Sequence, residues 1–158
     1  MSYQPNTLID MAKIISPISQ TAVRISGESK DCVIRAAANA TGMKYEDIHV
    51  IAKKNGRVDG KGCTMEVLLK TYRDIGVHLS GVVGTTTYAE ITRKIAKKLN
   101  VVHPEFNGVT LERFLRAKRT GKYICLMRGH AFAVVNGELV DAGALRGGTR
   151  ITAFFKVA

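Results

Sequence analysis

The sequence predicts an α+β fold, and three observations carry that prediction. Apolar residues recur at helical spacing from residue 28 to about residue 118, and the last forty residues change to strand-like alternation. Asn136-Gly137, the strongest short-range hairpin signal, lies between two of the strand-like runs. Helices that come before strands, instead of alternating with them, argue for an antiparallel sheet.

Residues 1–27 form an N-terminal arm in which Pro5 and Pro17 interrupt two short apolar stretches, "LIDMAKII" and "AVRIS". Residues 28–158 make up the domain proper. Its first helix, within "SKDCVIRAAANATG", has Ser29 or Asp31 as N-cap and Gly42 as its stop. Val33, Ile34 and four alanines leave it small and apolar almost all round, so it should be buried. "YEDIHVIAKKNG" places Tyr45, Ile48, Ile51 and Ala52 at helical spacing and ends at Gly56. After the loop "GRVDGKG", Thr64 caps a third helix with Met65, Leu68, Leu69 and Tyr72 on one face and Gly76 at its end. "VHLSGVVGTTTY" reads as a loop with a short strand, lacking the Gly-Lys-Ser/Thr ending of a phosphate-binding loop. "AEITRKIAKKLN" reads as an amphipathic helix on Ile91, Ile95 and Leu99, and a short helix starts at Thr110. "KYICLMR", "HAFAVV", "ELVDA" and "ITAFFKVA" are the strands.

At 158 residues, with 46% hydrophobic and 23% charged residues, the chain has the composition of one globular domain. No apolar run approaches the ~20 residues of a membrane span, and the N-terminus lacks the basic flank and apolar core of a signal peptide. A cytoplasmic protein without a membrane partner is expected, in a bacterial host if the source is viral. Cys32, Cys63 and Cys125 are odd in number and show no C-x-x-C pairing, which argues against a disulfide framework and a structural zinc site. His49, His78 and His103 stand in separate contexts without metal-ligand spacing, so no metal and no other cofactor is expected.

The net charge is +11, which favours encounters with nucleic acid or acidic proteins. Arg93, Lys94, Lys97 and Lys98 form a basic face on one helix, and Arg113, Arg116, Lys118 and Arg119 crowd the next. The ordinary meaning of such runs is a solvated face. With no tryptophan and 6% aromatics, no stacking platform interleaves with them.

The residues with the most chemistry are a cysteine at a helix start and a histidine at a strand start. Cys32 begins the buried helix, where unpaired backbone N–H groups and the positive dipole end favour a thiolate. If Asn136 and Gly137 are the turn, residue 135 pairs with 138, 132 with 141 and 130 with 143. His130 is then diagonal to Asp141 on one side of the sheet, with Phe132 beside them as a shield from water. Asp141 would accept from Nδ1 of His130 and turn Nε2 toward the sulfur. Cys63 is a rival nucleophile because it too precedes a helix, although Thr64 is the better cap there. Cys125 alternates like a packed strand residue.

"DCVIRAAANATG", followed about a hundred residues later by "GHAFAVVNGELVDA", resembles the papain-like cysteine peptidase superfamily. The likeness is nearest to compact bacterial and phage members, including the bacteriocin-processing type, and is concentrated in residues 28–56 and 110–142. It implies a papain-like α+β domain in which the Cys32 helix packs on a C-terminal antiparallel sheet carrying His130 and Asp141. It further implies thiol-dependent acyl transfer on a peptide or protein substrate, with Cys32 as nucleophile, His130 as proton shuttle and Asp141 as its orienting group. Papain-like enzymes commonly place a Gln shortly before the nucleophile to build the oxyanion hole, and "ISGESKD" offers none. Gln20, twelve residues upstream, could serve only if the chain loops back, and the backbone N–H groups of Lys30, Asp31 and Cys32 are the other donors. Two further readings stand beside a peptidase or thiol amidohydrolase. One is a non-catalytic basic protein that binds nucleic acid or an acidic partner on the same frame; the other is an amine-using acyltransferase or deamidase with the same triad.

Overall fold

The structure, a computed structural model, describes residues 13–17 and 28–157. A short β1 (Ile14–Ile15) precedes α1 (Cys32–Thr41), α2 (Tyr45–Lys54), α3 (Met65–Asp74), β2 (Val77–Val83) and α4 (Thr87–Lys98). Then come β3 (Glu105–Phe106), α5 (Leu111–Ala117), β4 (Lys122–Met127), β5 (His130–Val135), β6 (Glu138–Val140), β7 (Leu145–Arg146) and β8 (Ala153–Val157). Mixed α+β with a mostly antiparallel sheet is therefore the observed class. The main sheet has the strand order β3-β2-β8-β4-β5-β6, and its one parallel pairing is the short β2–β3 contact.

Side-chain alternation along the strands divides the interior into two cores, one on each face of the sheet. One unites α1–α4 with Ile124, Leu126, Ala131, Ala133, Ala153 and Phe155. The other unites Leu111 and Phe114 of α5 with Cys125, Phe132, Val134 and Phe154. Helix α1 lies deepest, with Val33, Ile34, Ala36, Ala37, Ala38 and Ala40 all buried. Its alanines let it approach β5 closely, and fully buried Tyr72 donates a 2.8 Å hydrogen bond to the Val33 carbonyl, fixing its first turn from α3. Gly42, at φ 76, ends α1 in the left-handed conformation and returns its N–H to the Ala38 carbonyl. Thr64, Thr86 and Thr110 cap α3, α4 and α5 through their side chains.

Beyond the two short strands β3 and β7, which the sequence reading does not contain, β2 and α4 differ from it. The loop with a short strand is a seven-residue strand, β2, bulged between Leu79 and Gly81. Gly81 reads as a breaker yet sits inside the strand because a Cβ there would lie 2.6–2.7 Å from ring atoms of Phe106 and Phe154. On α4 the buried face is Ala89, Thr92 and Ala96, with Ile95 half-buried and Ile91 43% exposed. Small residues bring this helix close to the sheet and leave Ile91 outside the core. Of the arm, Ile14–Ile15 pairs with Leu145–Arg146 and Ile15 packs against the second core.

Candidate active site

The β5–β6 hairpin has the register that its Asn-Gly turn requires: Val135 pairs with Glu138, Val134 with Leu139 and Ala133 with Val140. Asn136 and Gly137 both take positive φ, 50° and 77°, as a two-residue turn of this twist demands. His130 opens β5 and Asp141 follows the last residue of β6, so the turn sets their diagonal. The two meet at 2.7 Å, Nε2 of His130 to Oδ2 of Asp141. The other carboxylate oxygen accepts the Ala142 N–H at 2.8 Å, which fixes its orientation. Fully buried Phe132 stacks near the His130 ring, centroids 6.1 Å apart.

The ring is turned the other way from the sequence expectation. Nε2 faces Asp141, which leaves Nδ1 for the sulfur. Helix α1 packs on β5, which brings Cys32 to the start of that strand beside His130 and the Ala131 N–H. Burial pushes the Cys32 thiol up, but the His130 hydrogen bond, the Ala131 N–H, the His130 charge and the Val33 N–H outweigh it and hold the thiol below its ordinary value. His130 is raised to about 9, first by its bond to Asp141 and then by its bond to Cys32, against the opposing effect of burial. Both directions favour a thiolate–imidazolium pair.

Cys32 and His130 line one cleft of about 750 Å³. Lys30 and Val33 flank the sulfur, Gly62, Cys63 and Met65 form the facing loop and helix start, and Tyr88 and Ile91 of α4 form an outer wall. Cys63 thus shares the cleft, yet burial pushes its thiol up to about 11, with nearby Arg57 opposing in part. Cys125 is fully buried in the second core, where burial raises its thiol. Lys30 is held at φ 52, a left-handed conformation that costs a non-glycine residue about 1–2 kcal/mol, immediately before the α1 cap.

That turn separates two carboxylates. Asp31 is wholly buried and accepts from the Tyr45 hydroxyl at 2.7 Å, so its side chain is turned away from the cleft; its carbonyl accepts the Ile34 and Arg35 N–H groups. Any oxyanion role at this position therefore belongs to the backbone N–H. Gln20 lies outside the described residues. Glu28 takes both nitrogens of the Arg57 fork at 2.6 and 2.8 Å, the Gly60 N–H at 2.8 Å and His49 at 2.5 Å. Arg57 holds its carboxyl well below the usual range, against the cost of burial. Sequence reasoning missed this cluster because its other members lie 21–32 residues from Glu28 and follow no helical or strand period with it. Ligand atoms of Glu28, His49 and Asp59 lie within 4.8 Å of one another, but the guanidinium already supplies the cation, so a metal ion does not fit there.

The two basic runs are not one surface. Helix α4 packs in the first core and α5 in the second, so they stand on opposite faces of the sheet. Arg93 bonds Glu105 at 2.6 Å and also engages Glu90 and the Gly84 carbonyl, Lys98 bonds Glu66 at 2.9 Å, and Arg116 bonds Glu112 at 3.3 Å. Lys94, Lys97 and Arg113 are exposed. Among the described residues, no helix is long and apolar enough to cross a membrane. No family model matches the chain, and neither a curated protein nor a solved structure matches it.

Proposed function

We propose that the protein is a papain-like cysteine peptidase or thiol amidohydrolase. The observation that carries the reading is the His130–Asp141 bond through Nε2 at the wall of an open cleft that Cys32 also lines, with His130 acting to hold the thiol below its ordinary value. The Cys32 thiolate attacks a substrate carbonyl; a C–S bond forms and the π electrons move to oxygen. When the tetrahedral adduct collapses, the C–N bond breaks and the leaving amine takes the proton from Nδ1 of His130. Water then gives a proton back to His130 and attacks the thioester, the C–S bond breaks and the thiolate is restored. Asp141 keeps the ring aligned throughout and offsets the imidazolium charge.

An activated ester tests the reading whatever the natural substrate is. With p-nitrophenyl acetate the expected result is a burst of one nitrophenolate per chain, acetylation mapped to Cys32, and loss of both in Cys32→Ala and His130→Ala. Acylation spread over the three thiols, or a burst indifferent to His130→Ala, would overturn it. Faster release in the presence of an added amine would move the assignment to an acyltransferase. The dispersed and ion-paired basic runs give a nucleic-acid-binding reading less support.

A further inference from the structure

Among the described residues, one cation on the cleft wall, Arg35, has no acidic partner. Arg35 lies one turn after Cys32 on α1, and helical side chains lean toward the N-terminus, so its stem runs back over the turn that holds the sulfur. It lines the same cleft as Cys32 and His130. Its Nε is buried without a hydrogen-bond partner, and no carboxylate pairs with its guanidinium among the described residues. Lys30 lines the cleft too, while the carboxylate that lines it among the described residues, Asp31, is turned inward to Tyr45. Elsewhere in the molecule, buried or half-buried arginines have found acids: Arg57 holds Glu28 and Arg93 holds Glu105. The outer part of the half-buried guanidinium is what a ligand in the cleft can meet, and its planar fork matches a carboxylate in two-point contact.

From this we infer that Arg35, with Lys30, forms an anion subsite beside the nucleophile and selects substrates that carry a carboxylate close to the scissile carbonyl. The inference rests on Cys32 being the nucleophile. Met65, Tyr88, Ile91 and Met127 form apolar parts of the cleft wall, so the preferred substrate joins an acidic group to an apolar one. Arg35 is a specificity residue and takes no proton during the reaction.

Alkylation by a matched pair of reagents tests it. Iodoacetate and iodoacetamide differ by a carboxylate against an amide, and their rate ratio at Cys32 is compared within each variant, so a general change in thiol reactivity cancels. Arg35→Met should lower the iodoacetate-to-iodoacetamide ratio about tenfold, the size of one charge-assisted contact. Lys54→Met, which removes the same charge from the exposed end of α2, should leave the ratio as it was. The unaltered chain gives a second readout should Arg35→Met not fold: butyrate should protect Cys32 saturably from iodoacetamide, and butyramide should not. N-acetylglutamic acid α-amide and N-acetylalanine separate an acidic side chain from a C-terminal carboxylate as the source, and protection by either supports the subsite. Equal ratios in the wild type and Arg35→Met, or no protection by any carboxylate, would overturn it. Failure of iodoacetamide to favour Cys32 at all would instead sink the nucleophile on which it rests.

Discussion

The two shortest histidine–carboxylate contacts among the described residues are His49 with Glu28 at 2.5 Å and His130 with Asp141 at 2.7 Å. Each uses Nε2 of the ring. The first is closed: Glu28 is also held by the Arg57 fork, with 0% of the Arg57 side chain and 1% of the Glu28 side chain exposed. The second is open: the His130 side chain is 30% exposed, lines a cleft and stands beside a thiol that helps to raise it. The pair itself therefore does not make a site. What distinguishes them is the third partner, a guanidinium that neutralises in one case and a nucleophile that reacts in the other, together with access for a substrate.

The largest separation between the pairs should come from removing each histidine. His130→Ala should lower turnover of an activated ester by the folded molecule about 10³- to 10⁴-fold, the upper part of the range for a lost general acid–base. His49→Ala should instead lower the thermal midpoint and leave the per-molecule rate of the folded fraction near wild type. Next in size is Arg57→Ala, which strands a buried carboxylate and should cost about 3–5 kcal/mol in denaturant unfolding. The third change is Asp141→Ala: His130 keeps Cys32 but loses its alignment, and esterase activity should fall about 10²-fold, less than for loss of His130 itself.

The hairpin half of the site was legible in the sequence because its geometry is local. Asn136-Gly137 sets the turn, the turn sets the register, and the register sets the His130–Asp141 diagonal. The Cys32 half was legible as a helix start and not as a contact, since the packing of α1 on β5 depends on alanines whose periodicity points in no single direction. The sequence expectation put Nδ1 of His130 on Asp141, whereas the ring presents Nε2 to it. Glu28 and Arg57 left no trace in any period, and Arg35 sat unnoticed because a lone arginine on a buried helix has no pattern around it. Spacing places Ile91 on the apolar face of α4; smaller neighbours fill the core there and leave Ile91 on the cleft wall.

The pairs should also part by pH, with opposite signs. His130 is raised in the folded state from 6.5 toward about 9, so its contribution to stability is full below about pH 6.5 and is lost as pH rises through its folded value. Glu28 is depressed, so its contribution is present above about pH 4.5 and is lost as pH falls toward its folded value. Cys32 is depressed too and would add its own titration, so the histidine is best isolated in a Cys32→Ser background. There, the thermal midpoint advantage over Cys32→Ser/His130→Gln should be largest near pH 6 and shrink on the alkaline side. Glu28→Gln should instead flatten the acid limb. The smallest effect belongs to Cys63→Ala, which should leave alkylation of Cys32 within about twofold, because a thiol held near 11 stays protonated and takes no part.

Site-resolved alkylation of the folded chain by iodoacetamide between pH 5 and pH 9 tests the central claim most directly. An activated Cys32–His130 pair predicts that Cys32 is modified first, retains most of its rate at pH 6, and loses that acid-side rate in His130→Ala. Reaction of Cys32 only as pH approached 9, in step with an ordinary thiol, or modification of Cys63 ahead of it, would contradict that pairing.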